Sequence, residues 1–203
     1  MSLTYPLTFP TVNNQTLVKS CNLKLVHSAA ISESSTNYKQ LVSNYNAVRW
    51  EAEITIRPLS NIEGMAFSAF IAGLQGVTKT FRFGNPLMDY STSRTAEVRQ
   101  FDRETGDNVL GITINDTLGF TAGSHFEIGQ RLYMMLEDLT ISSSTSYIGT
   151  GSIAPPLRSD VSIGDNIIIN QPKTNWRLAT NDIGWDINES AKYDFTFNCV
   201  EAL

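Results

Sequence analysis

The sequence has few of the residues that most often carry chemistry, with two histidines and two cysteines among its 203 residues. His27 and His125 lie far apart and no GxSxG segment accompanies them, so a Ser-His-Asp hydrolase has no support. Cys21 and Cys199 form no CxxC pair, and HExxH, EF-hand, Walker and dinucleotide-binding patterns are absent. We therefore expect no catalytic residue, no metal site and no cofactor, and predict a protein that is not an enzyme.

Long apolar runs are also missing. The sequence contains no window of about 18 apolar residues, the length that a membrane-spanning helix needs. The N-terminal "MSLTYPLTFPTVNNQ" has no basic segment before an apolar run. We expect a soluble protein, made in the cytoplasm, without a membrane partner. In that reducing compartment Cys21 and Cys199 should be buried thiols, and whether the fold brings them together stays open.

Charge is scarce as well. Charged residues make up 17% of the chain, and the net charge is −5. The basic residues are scattered among acidic ones, whereas a nucleic-acid-binding face gathers Lys and Arg, so specific nucleic-acid binding is not expected. Low charge combined with many Ser, Thr and Asn residues suggests a surface that other subunits partly cover.

The clearest pattern that is present predicts a strand followed by a helix. Residues 48–57 alternate between apolar and polar, as in a strand with one buried face. Ser60 and Glu63 have the spacing of a capping box. Apolar residues then recur every three or four positions, which predicts a packed helix over about 61–74 with Gly76 just beyond its end. These apolar residues are Ile62, Ala66, Phe67, Phe70, Ile71 and Leu74.

Further strands are predicted near both ends of the chain, in "TLVKSCNLKLVHS", "KTFRFG" and "KYDFTFNCVEA". A helix with a broad apolar stripe needs a sheet to pack on, and these strands can supply it. We expect a mainly β fold in which residues 1–88 and 170–203 together build one β domain, a sheet or split barrel with one packed helix.

Residues 89–169 have a different character. Short apolar runs such as "VLGITI", "YIGTGSI" and "NIIIN" are separated by Gly, Ser, Thr and Asp about every ten residues, which predicts a small inserted β-barrel. The run "RLYMMLEDLTI" could form a helix, but its poor helical period and β-branched flank favour a strand.

Two groups of acidic residues resemble a catalytic site or a metal site. Glu51 and Glu53 share one strand face, whereas a glycosidase acid and base must flank the scissile bond. With Arg49 and Arg57 they are therefore interpreted as a solvated surface or one paired by ions across strands. The segment "DRETGDN" at 102–108 offers oxygen ligands for Ca²⁺ but lacks EF-hand spacing, and it is interpreted as an exposed turn.

The three tryptophans leave an alternative open. Trp50 lies on the apolar face of its strand and is predicted to be core. Trp176, Trp185 and Tyr147 could stack on sugars, so the alternative function is a carbohydrate-binding module that recognises a host surface glycan.

The ordered series of segments resembles one known family. "RWEAEITIRPLSNIEGMAFSAFIAGLQGVTKTFRFGNP" is similar to the N-terminal unit of tail-tip proteins of long-tailed bacteriophages, with a Trp- and Glu-containing strand, an aromatic helix before Leu-x-Gly, and a Thr-Phe strand that ends in a Gly-Asn-Pro turn. "IAPPLRSDVSIGDNIII", "WRLATNDIGWDI" and "YDFTFNCVEAL" continue the similarity. The family it most resembles is the distal tail protein.

The resemblance implies a structural virion protein at the tail tip, synthesised in the host cytoplasm. Members of that family form a ring, usually a homohexamer, that joins the tail tube protein to the tip hub or baseplate protein. DNA would pass through the channel without specific binding. The inserted barrel serves some relatives as a spacer and others as an attachment point for a receptor-binding or carbohydrate-binding part, and its small size here favours the spacer.

Overall fold

The protein is built mainly from β-strands. The computed structural model describes residues 3–12, 15–84, 95–99, 102–114, 119–139, 147–187 and 191–203. Within these ranges there are two six-stranded sheets, two short strand pairs and one α-helix. The predicted fold class, a β domain with a packed helix and a small inserted barrel, is confirmed. None of the helical segments in the described ranges has the length and apolar character needed to cross a membrane.

The two longest strands, β4 and β5, follow each other directly in the chain. In chain order they are β1 (Leu7–Thr8), β2 (Thr11–Val12), β3 (Gln15–Thr16), β4 (Val18–Glu33), β5 (Gln40–Ile56), α1 (Asn61–Gly73), a 3₁₀ turn (Gly76–Thr78), β6 (Phe81–Phe83), β7 (Ala96–Val98), β8 (Val109–Ile114), β9 (His125–Ile128), β10 (Arg131–Met135), β11 (Tyr147–Ala154), β12 (Asn166–Ile167), β13 (Thr174–Leu178), β14 (Asp186–Ile187), β15 (Tyr193–Asp194) and β16 (Thr196–Glu201).

The first sheet has the order β1-β6-β13-β16-β5-β4, and all its pairs are antiparallel except β1 with β6. Residues 48–56 form a strand with one buried face, as their alternation predicts, since Trp50, Ala52, Ile54 and Ile56 are all buried in the core. The opposite face of β5 carries the charged residues. The sheet therefore has one apolar face, on which the helix lies, and one polar outer face.

Helix α1 begins as predicted, at the N-cap Ser60, whose N–H donates to Glu63 Oε2 at 2.9 Å. This bond and a second one from the Ser60 hydroxyl lower the pKa of Glu63. The helix ends at Gly73 with Leu74 as C-cap, close to the predicted end. The first left-handed position after it is taken by Gln75, with φ of 52°, and not by the predicted Gly76, which follows with φ of 65°.

The inward face of α1 also differs in part from the prediction. Phe67, Phe70, Ile71 and Leu74 are buried, as expected. Two members of the predicted apolar stripe, Ile62 and Ala66, are exposed on the side of the helix away from the sheet. The helix is apolar on both sides, and its sequence period alone does not identify the inward side.

The second sheet is antiparallel and has the order β12-β7-β8-β11-β10-β9. Its two ends meet at Glu127 and Ile168, whose N–H groups donate to each other's carbonyl oxygens at 2.8 and 2.9 Å. This bridge makes the sheet a nearly closed barrel. The interior is packed with side chains, since a Cβ atom at Gly149 would lie only 2.7 Å from Leu139.

The hairpin formed by β4 and β5 is much longer than predicted. The two strands pair from Val18 with Ile56 to Glu33 with Gln40, with an irregularity after Ser28. The part that projects beyond the rest of the sheet, residues 28–47, is called the hairpin ribbon below. Sequence reasoning missed it because its Ser- and Asn-rich residues show no alternation to read.

Candidate functional site

The hairpin ribbon carries the largest group of exposed large apolar side chains in the described structure. Among the described strands β4 pairs only with β5, and β5 pairs with β16 only between Glu51 and Thr55. Both edges of the hairpin ribbon therefore lack a neighbouring strand. Five of its large side chains are between 58 and 77% exposed, namely Ile31, Tyr38, Leu41, Val42 and Tyr45.

The hairpin ribbon is poor in charge and carries apolar side chains, as is typical of a surface that a partner covers. Glu33 and Lys39 are its only charged residues, and Glu33 already accepts a 2.6 Å bond from Gln40. Ile31 pairs with Val42, and Leu41 pairs with Ser32 one position further, so apolar side chains occur on both faces. An isolated two-stranded hairpin is marginally stable in water, and exposed edges without charge or proline invite pairing.

A charged groove of about 470 Å³ lies on the polar outer face of the first sheet. Its lining includes Lys24, Arg49, Glu51, Glu53 and Asn198. Arg49 donates to Glu51 Oε1 from Nε at 2.9 Å and from Nη2 at 2.6 Å, so this part of the expected ion-paired surface is present. Arg57 pairs with Glu63 of α1 instead. Two cations and two carboxylates balance, so this groove suits polar contacts with a protein surface better than capture of an ion.

A buried polar contact joins the first sheet to the barrel, and it is called the domain junction below. Glu201 of β16 has a fully buried side chain and pairs with Arg158 at 3.2 Å. The same carboxylate accepts the backbone N–H of Trp50 at 3.2 Å, and Trp50 Nε1 donates to the Leu132 carbonyl in β10 at 2.9 Å. Arg158 also donates to the Val48 carbonyl.

A second ion pair crosses the domain junction in the opposite sense. Glu127 of β9, in the barrel, is buried and pairs with Arg82 of β6, in the first sheet. It also accepts the backbone N–H of Lys173 at 2.9 Å. Each side of the domain junction thus supplies one buried carboxylate and one guanidinium. Removing either partner of such a pair is strongly destabilising, because it leaves a buried charge without compensation.

His125 lies at the same domain junction, with its ring centroid 5.4 Å from that of Trp50. Burial lowers the pKa of His125, and the backbone of Gly123 opposes this to a lesser degree. Neither ring nitrogen makes a hydrogen bond of normal geometry to the described residues. His27 is exposed on β4, so the structure does not bring the two histidines together.

The candidates for sugar stacking are separated as well. Trp176 is buried and donates Nε1–H to the Phe83 carbonyl at 2.9 Å, so it is a core residue and cannot stack on a ligand. Trp185 is 42% exposed, and its ring lies 5.9 Å from that of Phe195. The side chain of Tyr147 lies outside the described residues.

The carboxylates near the turn at 102–108 are engaged by backbone groups. Asp102 accepts the N–H of Ile163 at 2.9 Å, and Asp160 accepts the N–H of Thr105 at 2.8 Å. No group of three or more potential metal ligands occurs in the described parts of the chain. These two carboxylates therefore hold neighbouring loop segments together through hydrogen bonds to the backbone.

The two cysteines are free and lie on β4 and β16, on opposite sides of β5. Burial raises the pKa of the Cys21 thiol to about 11. Burial, with a smaller effect of Cys21, raises the pKa of Cys199 well above its usual value. A thiol reacts through its thiolate, so neither cysteine is activated for chemistry.

Sequence reasoning missed the residues of the domain junction. Glu127, Arg158 and Glu201 appear in the sequence as scattered charges, and the one available signal was that Glu201 takes an inward position in the alternation of β16.

In comparisons with known proteins, no family model matches the chain and no curated protein matches it significantly.

Proposed function

We propose that the chain is a structural, non-enzymatic protein of a bacteriophage tail tip. It forms a ring, six-membered by the family resemblance, that joins the tail tube to the tip hub or baseplate and leaves a channel for DNA. The proposal draws its identity from the resemblance of the segments between Arg49 and Pro86 and near the C-terminus. The observation that carries it is the hairpin ribbon.

The hairpin ribbon supports assembly because no strand among the described residues pairs with either of its outer edges. Its two free edges and its uncharged apolar side chains gain a neighbour only when another chain covers them. A closed ring places the same surface of every subunit against the next one, which removes all such edges at once.

The domain junction supports the interpretation of the barrel as a fixed spacer. Two reciprocal ion pairs, Arg158 with Glu201 and Arg82 with Glu127, hold the barrel against the first sheet. A flexible arm that carries a receptor-binding part would have little use for buried charges at its base. A spacer that must keep tube and hub at a set distance needs a rigid connection.

The hairpin ribbon can be removed without disturbing the strands below it. Ser28 and Ala47 stand directly opposite each other, so a two-residue Asn-Gly turn can replace residues 29–46. The full chain is expected to form rings in negative-stain images and a matching mass in native mass spectrometry. The shortened chain should fold and remain a monomer.

Two outcomes would contradict the proposal. One is a full chain that stays monomeric at every concentration, and the other is a shortened chain that assembles as well as the full one. Circular dichroism of the shortened chain controls for folding.

The carbohydrate-binding alternative now rests on Trp185, because Trp176 is buried. A glycan array with the full chain and with Trp185→Ala tests it. Sugar binding that is lost in Trp185→Ala while assembly is unchanged would favour the alternative, and no binding would remove it.

A further inference from the structure

Helix α1 has a second apolar side that faces away from the sheet. The exposed residues on that side recur at helical spacing, and they are Ile62, Met65, Ala66, Ala69 and Ala72, together called the helix outer face. Ile62 is 78% exposed and Met65 is 51% exposed. A helix that is apolar all round is normally buried all round.

Charge is absent from the helix outer face. The only charged side chain of α1 is Glu63, which is bound to Ser60 and Arg57 at the start of the helix. At the other end the exposed Leu3 extends the apolar surface, since its Cδ1 lies 3.4 Å from the position of a Cβ atom on Gly73. Depletion of charge is the feature that distinguishes the core of a protein interface from ordinary surface.

A matching surface exists on the same chain. The hairpin ribbon has Glu33 and Lys39 as its only charged residues and exposes Ile31, Tyr38, Leu41, Val42 and Tyr45, whereas the helix outer face is built largely of alanine. Large side chains can therefore settle between small ones. The two surfaces also match in length, because 13 helical residues span about 20 Å and six strand residues, 28–33, also span about 20 Å.

We propose that the helix outer face is the docking surface for the hairpin ribbon of a neighbouring copy of this chain. The inference rests on the proposed ring, which requires two different surfaces of one subunit to meet head to tail. Within one chain both surfaces remain exposed, so the contact is made between copies. In the described part of the barrel three large apolar side chains are exposed, at Leu136, Ile163 and Ile168.

Cross-linking between two differently labelled pools tests the contact directly. In a Cys21→Ser background, one pool carries Ala69→Cys on the helix outer face and the other, labelled with ¹⁵N, carries Leu41→Cys on the hairpin ribbon. After mixing, assembly and mild oxidation, mass spectrometry is expected to find disulfides between positions 69 and 41 across the pools. Ile163→Cys, which replaces a barrel residue of similar exposure to Met65, serves as the matched control in place of Ala69→Cys.

The outcomes separate this inference from the proposed ring. Rings in which position 69 reacts with position 41 no more than position 163 does would overturn the docking contact and leave the ring intact. Disulfides between two copies of Ala69→Cys would replace it with a helix-to-helix contact. Absence of any assembly would overturn both.

A charge placed on the helix outer face gives a second measurement. Ala69→Lys keeps a good helix former at an exposed position, so the monomer should remain folded. Burying an unpaired ammonium in the contact should weaken ring assembly about tenfold or more. Ile163→Lys should leave assembly unchanged, and equal assembly of both variants would count against the contact.

Discussion

Arg158 and Glu201 illustrate how much can depend on a single pair of residues. Glu201 is buried at the domain junction, and Arg158 is the guanidinium that compensates its charge. Arg158→Ala should lower the free energy of unfolding by about 3–5 kcal/mol, because a carboxylate is left buried and unpaired. Urea unfolding followed by tryptophan fluorescence measures this.

The exposed pair of Arg49 and Glu51 provides the control for that experiment. Its bonds are as short as those at the domain junction, but Arg49 is half exposed. Arg49→Ala should cost at most about 1 kcal/mol, because solvent screens an exposed pair. Equal losses in Arg158→Ala and Arg49→Ala would contradict the importance given to burial.

His125 should make stability depend on pH. Burial holds its pKa in the folded protein below the ordinary value of 6.5, so the unfolded chain binds the proton more readily. The free energy of unfolding therefore falls as the pH drops below about 6.5. His125→Phe, which keeps a ring beside Trp50, should reduce the loss of stability between neutral and mildly acidic pH. His27→Phe on exposed β4 is the control, and the same change in both variants would refute the assignment.

At the scale of the element, α1 contains two glycines with opposite expected behaviour. A Cβ atom at Gly64 would lie 2.3 Å from the ring of Tyr193, whereas one at Gly73 would meet only ordinary contacts at 3.4 and 3.5 Å. Gly64→Ala should destabilise the protein by about 1–3 kcal/mol through overpacking. Gly73→Ala should stabilise it by about 0.5–1 kcal/mol, because alanine favours the helix.

Thermal unfolding by circular dichroism compares the two glycine variants. A higher melting temperature for Gly64→Ala than for the parent would show that Tyr193 moves aside at no cost, contrary to the packing described for α1.

The elements also show which information the sequence contains. Strand β5 was predictable between Val48 and Ile56, because one of its faces is buried and the pattern alternates. The hairpin ribbon was not predictable, since both of its faces are exposed in a single chain and its sequence therefore shows no alternation of apolar and polar residues. For α1 the pattern gave the helix and its N-cap, but Ile62 and Phe67 are equally apolar, and only the sheet decides which one is buried.

The candidate surfaces were harder to predict than the fold. The alternation that places Arg49, Glu51 and Glu53 on one side of β5 indicated a polar outer face. Trp176 could have been a stacking platform by sequence, yet its indole N–H finds the Phe83 carbonyl inside the core. A partner that is distant in sequence, as Arg158 is from Glu201, leaves no local pattern, so long-range pairs stay invisible until the chain is folded.

For the whole molecule, the domain junction predicts that both sheets unfold together. The first sheet and the barrel have different apolar cores, although Leu132 of β10 packs in the core of the first sheet. Each side also holds a carboxylate that the other must neutralise. Pulsed hydrogen exchange with mass spectrometry should show β8 to β10 and β13 to β16 losing protection at the same urea concentration. Arg82→Ala combined with Arg158→Ala should separate the two transitions. Two transitions in the parent protein would contradict the coupling.

The reciprocal charges at Glu127 and Glu201 also limit which other barrels the first sheet could accept in place of this one. If another barrel replaced this one, Arg82 and Glu201 of the first sheet would face the residues of that barrel at the positions of Glu127 and Arg158. Only a barrel that brings a carboxylate and a guanidinium to the same two places would be accepted, so recombination should preserve this pair of charges even where the rest of the inserted sequence has drifted beyond recognition.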